Sequence, residues 1–167
     1  YKTKKMKNSK ILVIEDTQSI REEIKDILGF EGMEVITAKN GQEGIDRAKE
    51  YSPDLILCDV MMPIKDGFKV FNELQHDFFL KDTPFIFLTA RATTEDVRQG
   101  MILGADDYIT KPFSIDLLIS SIKSRLAKAT KRERSEKERR ENLQYNISRA
   151  LPHELRTPLN GIIGLSS

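Results

Sequence analysis

The sequence predicts an α/β domain, a doubly wound parallel sheet with helices on both faces and a long α-helical extension at its C-terminal end. Two observations predict it. Short apolar runs and helix-patterned stretches alternate five times, the pattern of a parallel sheet sandwiched between helices. After the last run, no Gly or Pro occurs between Phe113 and Leu151, so nothing stops the final helix.

The elements are taken in chain order. Ile11-Leu12-Val13-Ile14 is a continuous apolar run and reads as a strand buried on both faces. Val35-Ile36, Leu55-Ile56-Leu57-Cys58 and Phe85-Ile86-Phe87-Leu88 read the same way, and Tyr108-Ile109 is a weaker fifth. Ile20, Ile24, Ile27 and Leu28 keep helical spacing, with Gly29 as the expected terminator. Ile45 and Ala48 mark a second helix, Phe68, Phe71 and Leu74 a third, and Val97, Met101 and Ile102 a fourth. Glu95 and Asp96 suit the first turn of that fourth helix. The fifth helix starts near Ser114, a good N-cap. Positions 119, 122, 126, 129, 133, 136, 140, 143, 147 and 150 keep a three-four spacing. Glu133, Glu136 and Arg140 interrupt it, so the expectation is a two-stranded coiled coil, weak in the middle, supporting a homodimer. A solvated charged linker helix is the alternative.

Composition bounds the function. The chain has 167 residues, 39% hydrophobic and 32% charged, with net charge +1. That average hides a split: residues 1–8 carry +4, residues 9–127 carry −7, residues 128–141 carry +3 and residues 142–167 carry +1. An acidic body disfavours nucleic acid and suits a cation. Cys58 has no partner for an internal disulfide, and no apolar run is long enough to span a bilayer. A cytoplasmic location is the expectation. The start at Tyr1 reads as a fragment of a longer protein.

The chemistry sits where the strands end, since ligands of open α/β sheets bind beyond the carboxyl ends of the strands. Glu15 and Asp16 come after the first strand, Asp59 after the third, Thr89 after the fourth, and Lys111 with Pro112 after the fifth. Clustered carboxylates repel one another and favour a divalent cation such as Mg²⁺. A carboxylate can attack phosphorus to give an aspartyl phosphate, while cation, ammonium and hydroxyl stabilise the transferring oxygens.

The spans Ile11–Asp16, Asp59–Gly67, Leu88-Thr89-Ala90, Gly104–Tyr108 and Lys111-Pro112-Phe113 resemble the receiver domains of two-component response regulators. The resemblance covers residues 9–128 and implies a flavodoxin-like sheet of order 2-1-3-4-5. It implies Asp59 as the phosphorylated residue, and Asp16, Asp59 and the Met61 carbonyl as Mg²⁺ ligands, with Glu15 acting through water. It further implies Thr89 and Lys111 on the phosphoryl oxygens, Tyr108 as a switch aromatic, and a cis peptide before Pro112. Glu15 stands where the family more often has Asp. Met61 and Arg91, each two residues past Asp59 and Thr89, are expected to shield the acyl phosphate and give it a lifetime of minutes or more.

A second site is read in the tail. With about 100° per residue, Ile147, Leu151, Leu155, Leu159 and Ile162 cluster opposite His153, leaving the imidazole toward solvent beside Glu154. The run His153-Glu154-Leu155-Arg156-Thr157-Pro158-Leu159 resembles the phosphoacceptor box of histidine kinases. That implies His153 as a phosphorylated residue, Glu154 as its activator and Thr157 in a phosphatase step. Pro152 departs from the family, which more often has Ser there.

The expected organisation is a basic tail (1–8), a receiver (9–128), a charged helical linker (129–142) and the truncated first helix of a dimerisation domain (143–167). No nucleotide-binding glycine box comes after His153. The chain is therefore expected to accept or transfer phosphoryl groups from a phosphohistidine donor, within a parent that is an ATP-dependent histidine kinase. One alternative is a response regulator whose basic helical extension contacts DNA or a partner, though Glu133, Glu136, Glu138 and Glu141 interleave its bases. Another, an aspartyl-nucleophile phosphatase, would need an Asp-x-Asp after the first strand, where Glu15-Asp16-Thr17 stands.

Overall fold

In a computed structural model of the protein, residues 9–90, 95, 98 and 104–154 are described, with side chains to residue 143. Five strands, β1 (Lys10–Ile14), β2 (Glu34–Ala38), β3 (Leu55–Asp59), β4 (Phe85–Thr89) and β5 (Asp107–Thr110), form one parallel sheet of order β2-β1-β3-β4-β5. This is the expected flavodoxin-like order. The register pairs Ile14 with Ala38 and Cys58, and Asp59 with Leu88. The ends of β1, β3 and β4 therefore lie side by side.

The apolar runs became strands because each residue has a buried face to fill. Alternate side chains enter two separate cores. Leu12, Ile14, Ile56, Cys58, Phe85 and Phe87 face helices α2 (Gly41–Tyr51) and α3 (Gly67–Gln75), meeting Ile45, Ala48, Val70, Phe71 and Leu74. Phe71, Phe85 and Phe87 interlock there with ring centroids 4.9–5.8 Å apart. Ile11, Val13, Leu55, Leu57, Ile86 and Leu88 face helices α1 (Gln18–Phe30) and α4 (Ile115–Glu154), meeting Ile24, Leu28, Leu118, Ile122 and Leu126.

Two expectations change. Gly29 lies inside α1; the chain turns instead at Gly32, whose φ of 82° suits a residue without a Cβ. Ile122 and Leu126, assigned to a coiled-coil seam, are buried against the sheet. Their three-four spacing serves the domain core, because the last helix must cover one face of the sheet before it can do anything else. The fourth predicted helix, around Val97, Met101 and Ile102, lies outside the described residues. Ser114 caps α4 as expected, its Oγ accepting from the Leu117 N–H at 3.0 Å.

The chain divides into two compact units, one ending at Ala129 and one beginning at Thr130. In the second, residues 131–143 are helical and every side chain is exposed. Among the described residues, no helix is long and apolar enough to cross a membrane.

Candidate functional site

The sheet's carboxyl edge gathers the predicted residues. Asp59 ends β3 and Thr89 ends β4, both buried. Glu15 comes directly after β1 and is fully buried, while Asp16 beside it is exposed. Lys111 comes directly after β5, and its N–H donates to the Thr89 carbonyl at 2.7 Å. Likewise Glu15 N–H donates to Ala38 O at 3.0 Å and Val60 N–H to Leu88 O at 3.0 Å. These bonds extend the parallel ladder one residue past the strands and fix where each functional side chain leaves the sheet.

One carboxylate oxygen from each of Glu15, Asp16 and Asp59 lies within 4.8 Å of the others. Lys111 Nζ is 2.6 Å from Glu15 Oε1 and 3.5 Å from Asp59 Oδ2. The other Glu15 oxygen accepts from the Thr17 N–H at 3.0 Å. The sequence did not indicate this: the longer acid occupies Lys111 directly. Burial, then the neighbouring Glu15 charge, push the Asp59 carboxyl up from 3.8 to about 7, while Lys111 pulls it down. Burial and the same acids push the Cys58 thiol up, which makes it a core residue and a poor nucleophile.

The loop after β3 is held from two sides. A Cβ on Gly67 would lie 2.4 Å from the Asp59 carbonyl, and one on Gly41 would lie 2.3 Å from the Lys65 carbonyl. Asp66 caps α3, accepting from Lys69 N–H at 2.9 Å. Asn40 caps α2, accepting from Glu43 N–H at 2.8 Å. The helix starts thus clamp residues 60–66, including Met61, whose N–H reaches Asp59 Oδ1 at 3.4 Å while its side chain is exposed. The Gly41 contact, 24 positions from Lys65, had no local sequence signal.

Tyr108 is half-buried on β5 and packs against the α2–α3 core. The Lys111–Pro112 peptide is cis, as the resemblance implied. His153 and Glu154 fall within α4, but their side chains lie outside the described residues, as do Arg91 and Thr157.

The family model for the response regulator receiver domain matches residues 11–123. The chain belongs to the response regulator receiver family. The receiver is 42% identical over 126 residues to a probable transcriptional regulator, ycf27, of Porphyridium aerugineum, a match covering 75% of this chain and 51% of that one. It is 39% identical over 115 residues to the phosphate regulon transcriptional regulatory protein PhoB of Escherichia coli, covering 69% and 50%. The chain thus spans about half the length of the curated relatives it matches. Among solved structures, it resembles chemotaxis protein CheY4 of Vibrio cholerae with a TM-score of 0.68 at 31% identity, covering 70% of this chain and 98% of that one. It also resembles the signal receiver domain of a signal transduction histidine kinase from Syntrophus aciditrophicus, with a TM-score of 0.67 at 35% identity, covering 71% and 90%.

Receivers take phosphoryl groups from histidine kinases and bind Mg²⁺ at an acidic pocket. The donor set fits that ion. Mg²⁺ prefers hard oxygen ligands, needs one or two carboxylates, and keeps several waters. Exposed Asp16 and buried Asp59 offer two such carboxylates, whereas Glu15 is already engaged by Lys111 and the loop backbone.

Proposed function

We propose that this receiver is a phosphoryl switch in which Asp59 accepts the phosphoryl group of a phosphohistidine. An Asp59 Oδ attacks phosphorus, the P–N bond breaks, and the imidazole leaves with its electron pair. The bound Mg²⁺ would supply charge neutralisation at the transferring oxygens. Asp16 and Asp59 would hold it together with the Met61 carbonyl. Lys111 lies 3.5 Å from the acceptor carboxylate, close enough to pair with an oxygen of the incoming group. Thr89, which ends the adjacent strand, would donate its hydroxyl to another. Tyr108 would move as those contacts form.

The observation that carries this reading is the convergence of Asp59, two further carboxylates and Lys111 on one sheet edge. Acetyl phosphate with Mg²⁺ tests it. An acid-stable, base-labile label should appear in the wild type and in His153→Gln and vanish in Asp59→Asn. Label that survives in Asp59→Asn refutes it.

Two readings compete for the helical extension beyond the receiver. The names of curated relatives such as ycf27 and PhoB, transcriptional regulators, support a response regulator whose exposed, charged helix meets DNA or a partner. The run His153–Pro158 and the likeness to the receiver of a histidine kinase support fusion to a kinase phosphoacceptor helix, dimerised through α4. In the second reading, a phosphoryl mimic at Asp59 alters phosphorylation of His153 in the parent protein. In the first, the extension binds duplex DNA or a protein in a salt-sensitive manner, and His153 is never phosphorylated.

A further inference from the structure

We propose that Arg21 is a positioning residue for cation binding: from the first turns of α1 its guanidinium holds the loop that presents Glu15 and Asp16. The inference rests on the reading that the acidic pocket takes a divalent cation. Arg21 Nη1 donates to the Glu15 carbonyl at 2.8 Å and reaches the Asp16 carbonyl at 3.5 Å. These are the backbone oxygens of two of the three clustered acids.

The loop needs such a device. Thr17 is the N-cap of α1, yet its side chain makes no capping hydrogen bond, and no acidic residue stands in the first turn. The ordinary means of fixing a helix start are absent. What remains is the Thr17 N–H bond to Glu15 Oε2, the Arg21 N–H bond to Thr17 O at 3.0 Å, and the guanidinium itself. The Glu15 side chain is tied to Lys111 and its N–H to the Ala38 carbonyl, while its own carbonyl, where the loop begins, is held by Arg21. Asp16 is exposed, and of its own atoms the backbone carbonyl is the one that Arg21 reaches.

The choice of backbone over carboxylate has a consequence. A guanidinium bonded to the carboxylates would neutralise the pocket and compete with the cation. Bonded to the carbonyls, it orders the loop and leaves the side-chain oxygens available. Both contacts come from one nitrogen, Nη1, so an ammonium at the same place would keep part of the anchor.

Positioning and plain electrostatics predict opposite signs. Removing a positive charge beside an acidic pocket strengthens cation binding if the charge acts only through space. Removing the anchor weakens it. The test uses the full chain as wild type, Arg21→Met and Arg21→Lys. Mn²⁺ binding is read from the electron paramagnetic resonance signal of the free ion, and Mg²⁺ binding from the metal-dependent thermal shift. Arg21→Met should lose roughly three- to tenfold in affinity, at or below the range for groups that orient a metal ligand's side chain, because here backbone is held. Arg21→Lys should recover part of the loss. Acetyl phosphate labelling of Asp59 should slow at limiting Mg²⁺ and return toward wild type at saturating Mg²⁺. Should Arg21→Met fail to fold, Arg21→Lys decides, with a smaller loss in the same direction. Affinity that is unchanged or increased in the folded variants overturns the proposal. A wild type that binds neither ion overturns the cation reading beneath it, an outcome recognisable without any variant.

Discussion

Replacing Asp59 with asparagine should stabilise the metal-free receiver, by an amount that grows with pH and then levels off. Asp59 is buried beside Glu15, and its carboxyl is pushed from 3.8 to about 7. An unfolded chain releases that proton near pH 4, whereas the folded one holds it until about pH 7. A raised value favours the fold below the unfolded value and loses that advantage as pH rises. Each pH unit between the two values costs the folded state up to about 1.36 kcal/mol, and nothing more is lost above pH 7. Three units set a ceiling of about 4 kcal/mol. Asparagine escapes this cost but deprives Lys111 of a partner at 3.5 Å, so we expect a net gain of about 1–3 kcal/mol at pH 8. Urea unfolding followed by circular dichroism, in chelator at pH 5, 6, 7 and 8, measures the difference. Mg²⁺ should then narrow it by stabilising only the wild type, by about 1.4 kcal/mol at ten times its dissociation constant. A variant no more stable than wild type at pH 8 without metal, or a difference constant from pH 5 to 8, refutes the electrostatic account.

Lys111→Met removes the group that, among the described residues, lowers the Asp59 carboxyl, so the Asp59 titration followed by NMR should move above 7. The same change leaves buried Glu15 without its cation and should cost about 3–5 kcal/mol in urea unfolding. Gly41→Ala would set a Cβ 2.3 Å from the Lys65 carbonyl; it should destabilise by about 1–3 kcal/mol and weaken Mg²⁺ binding through the Met61 loop, whereas a loss of stability at unchanged affinity would detach that glycine from the site. Phe71→Ala opens the aromatic cluster of the α2–α3 core and should cost about 3–5 kcal/mol, with the Mg²⁺ affinity of the folded fraction preserved.

The fold was legible because its signals are local and redundant. Ile11–Ile14 and Phe85–Leu88 are too short and too uniformly apolar to be anything but strands buried on both faces, and their ends mark the sheet edge. The site acids were legible for the same reason, each standing one or two positions after such a run. Gly29 misled because a glycine within a helix looks like a stop; the αL turn belongs to Gly32, three residues on. Ile122 and Leu126 misled more deeply. A helix against a sheet and a helix against a helix impose nearly the same apolar spacing, so the pattern could not say which partner it served. Pairings across the fold, Lys111 with Glu15 and Gly41 with Lys65, leave no mark on local sequence at all.

The pocket makes physical sense only as an arrangement held under repulsion. One carboxylate oxygen from each of Glu15, Asp16 and Asp59 lies within 4.8 Å of the others, with Lys111 among them, a configuration isolated side chains would leave. Two apolar cores hold it: β1, β3 and β4 are buried on both faces, so their ends cannot splay without opening the interior. The rigidity of the sheet is thus what keeps the acids poised. Glu15 absorbs part of the strain by taking Lys111 at 2.6 Å, leaving the lysine farther from Asp59, at 3.5 Å. On the proposed reading, an arriving phosphoryl group with two or more negative charges would compete for that lysine. The departure from the family's usual Asp therefore has a directional consequence. A Glu15→Asp receiver, with its shorter side chain, should hold Lys111 less tightly in the resting state, and Asp59 should titrate lower than in the wild type. If NMR shows Asp59 unmoved in Glu15→Asp, Glu15 and Lys111 form a structural pair with no share in setting the acceptor's charge.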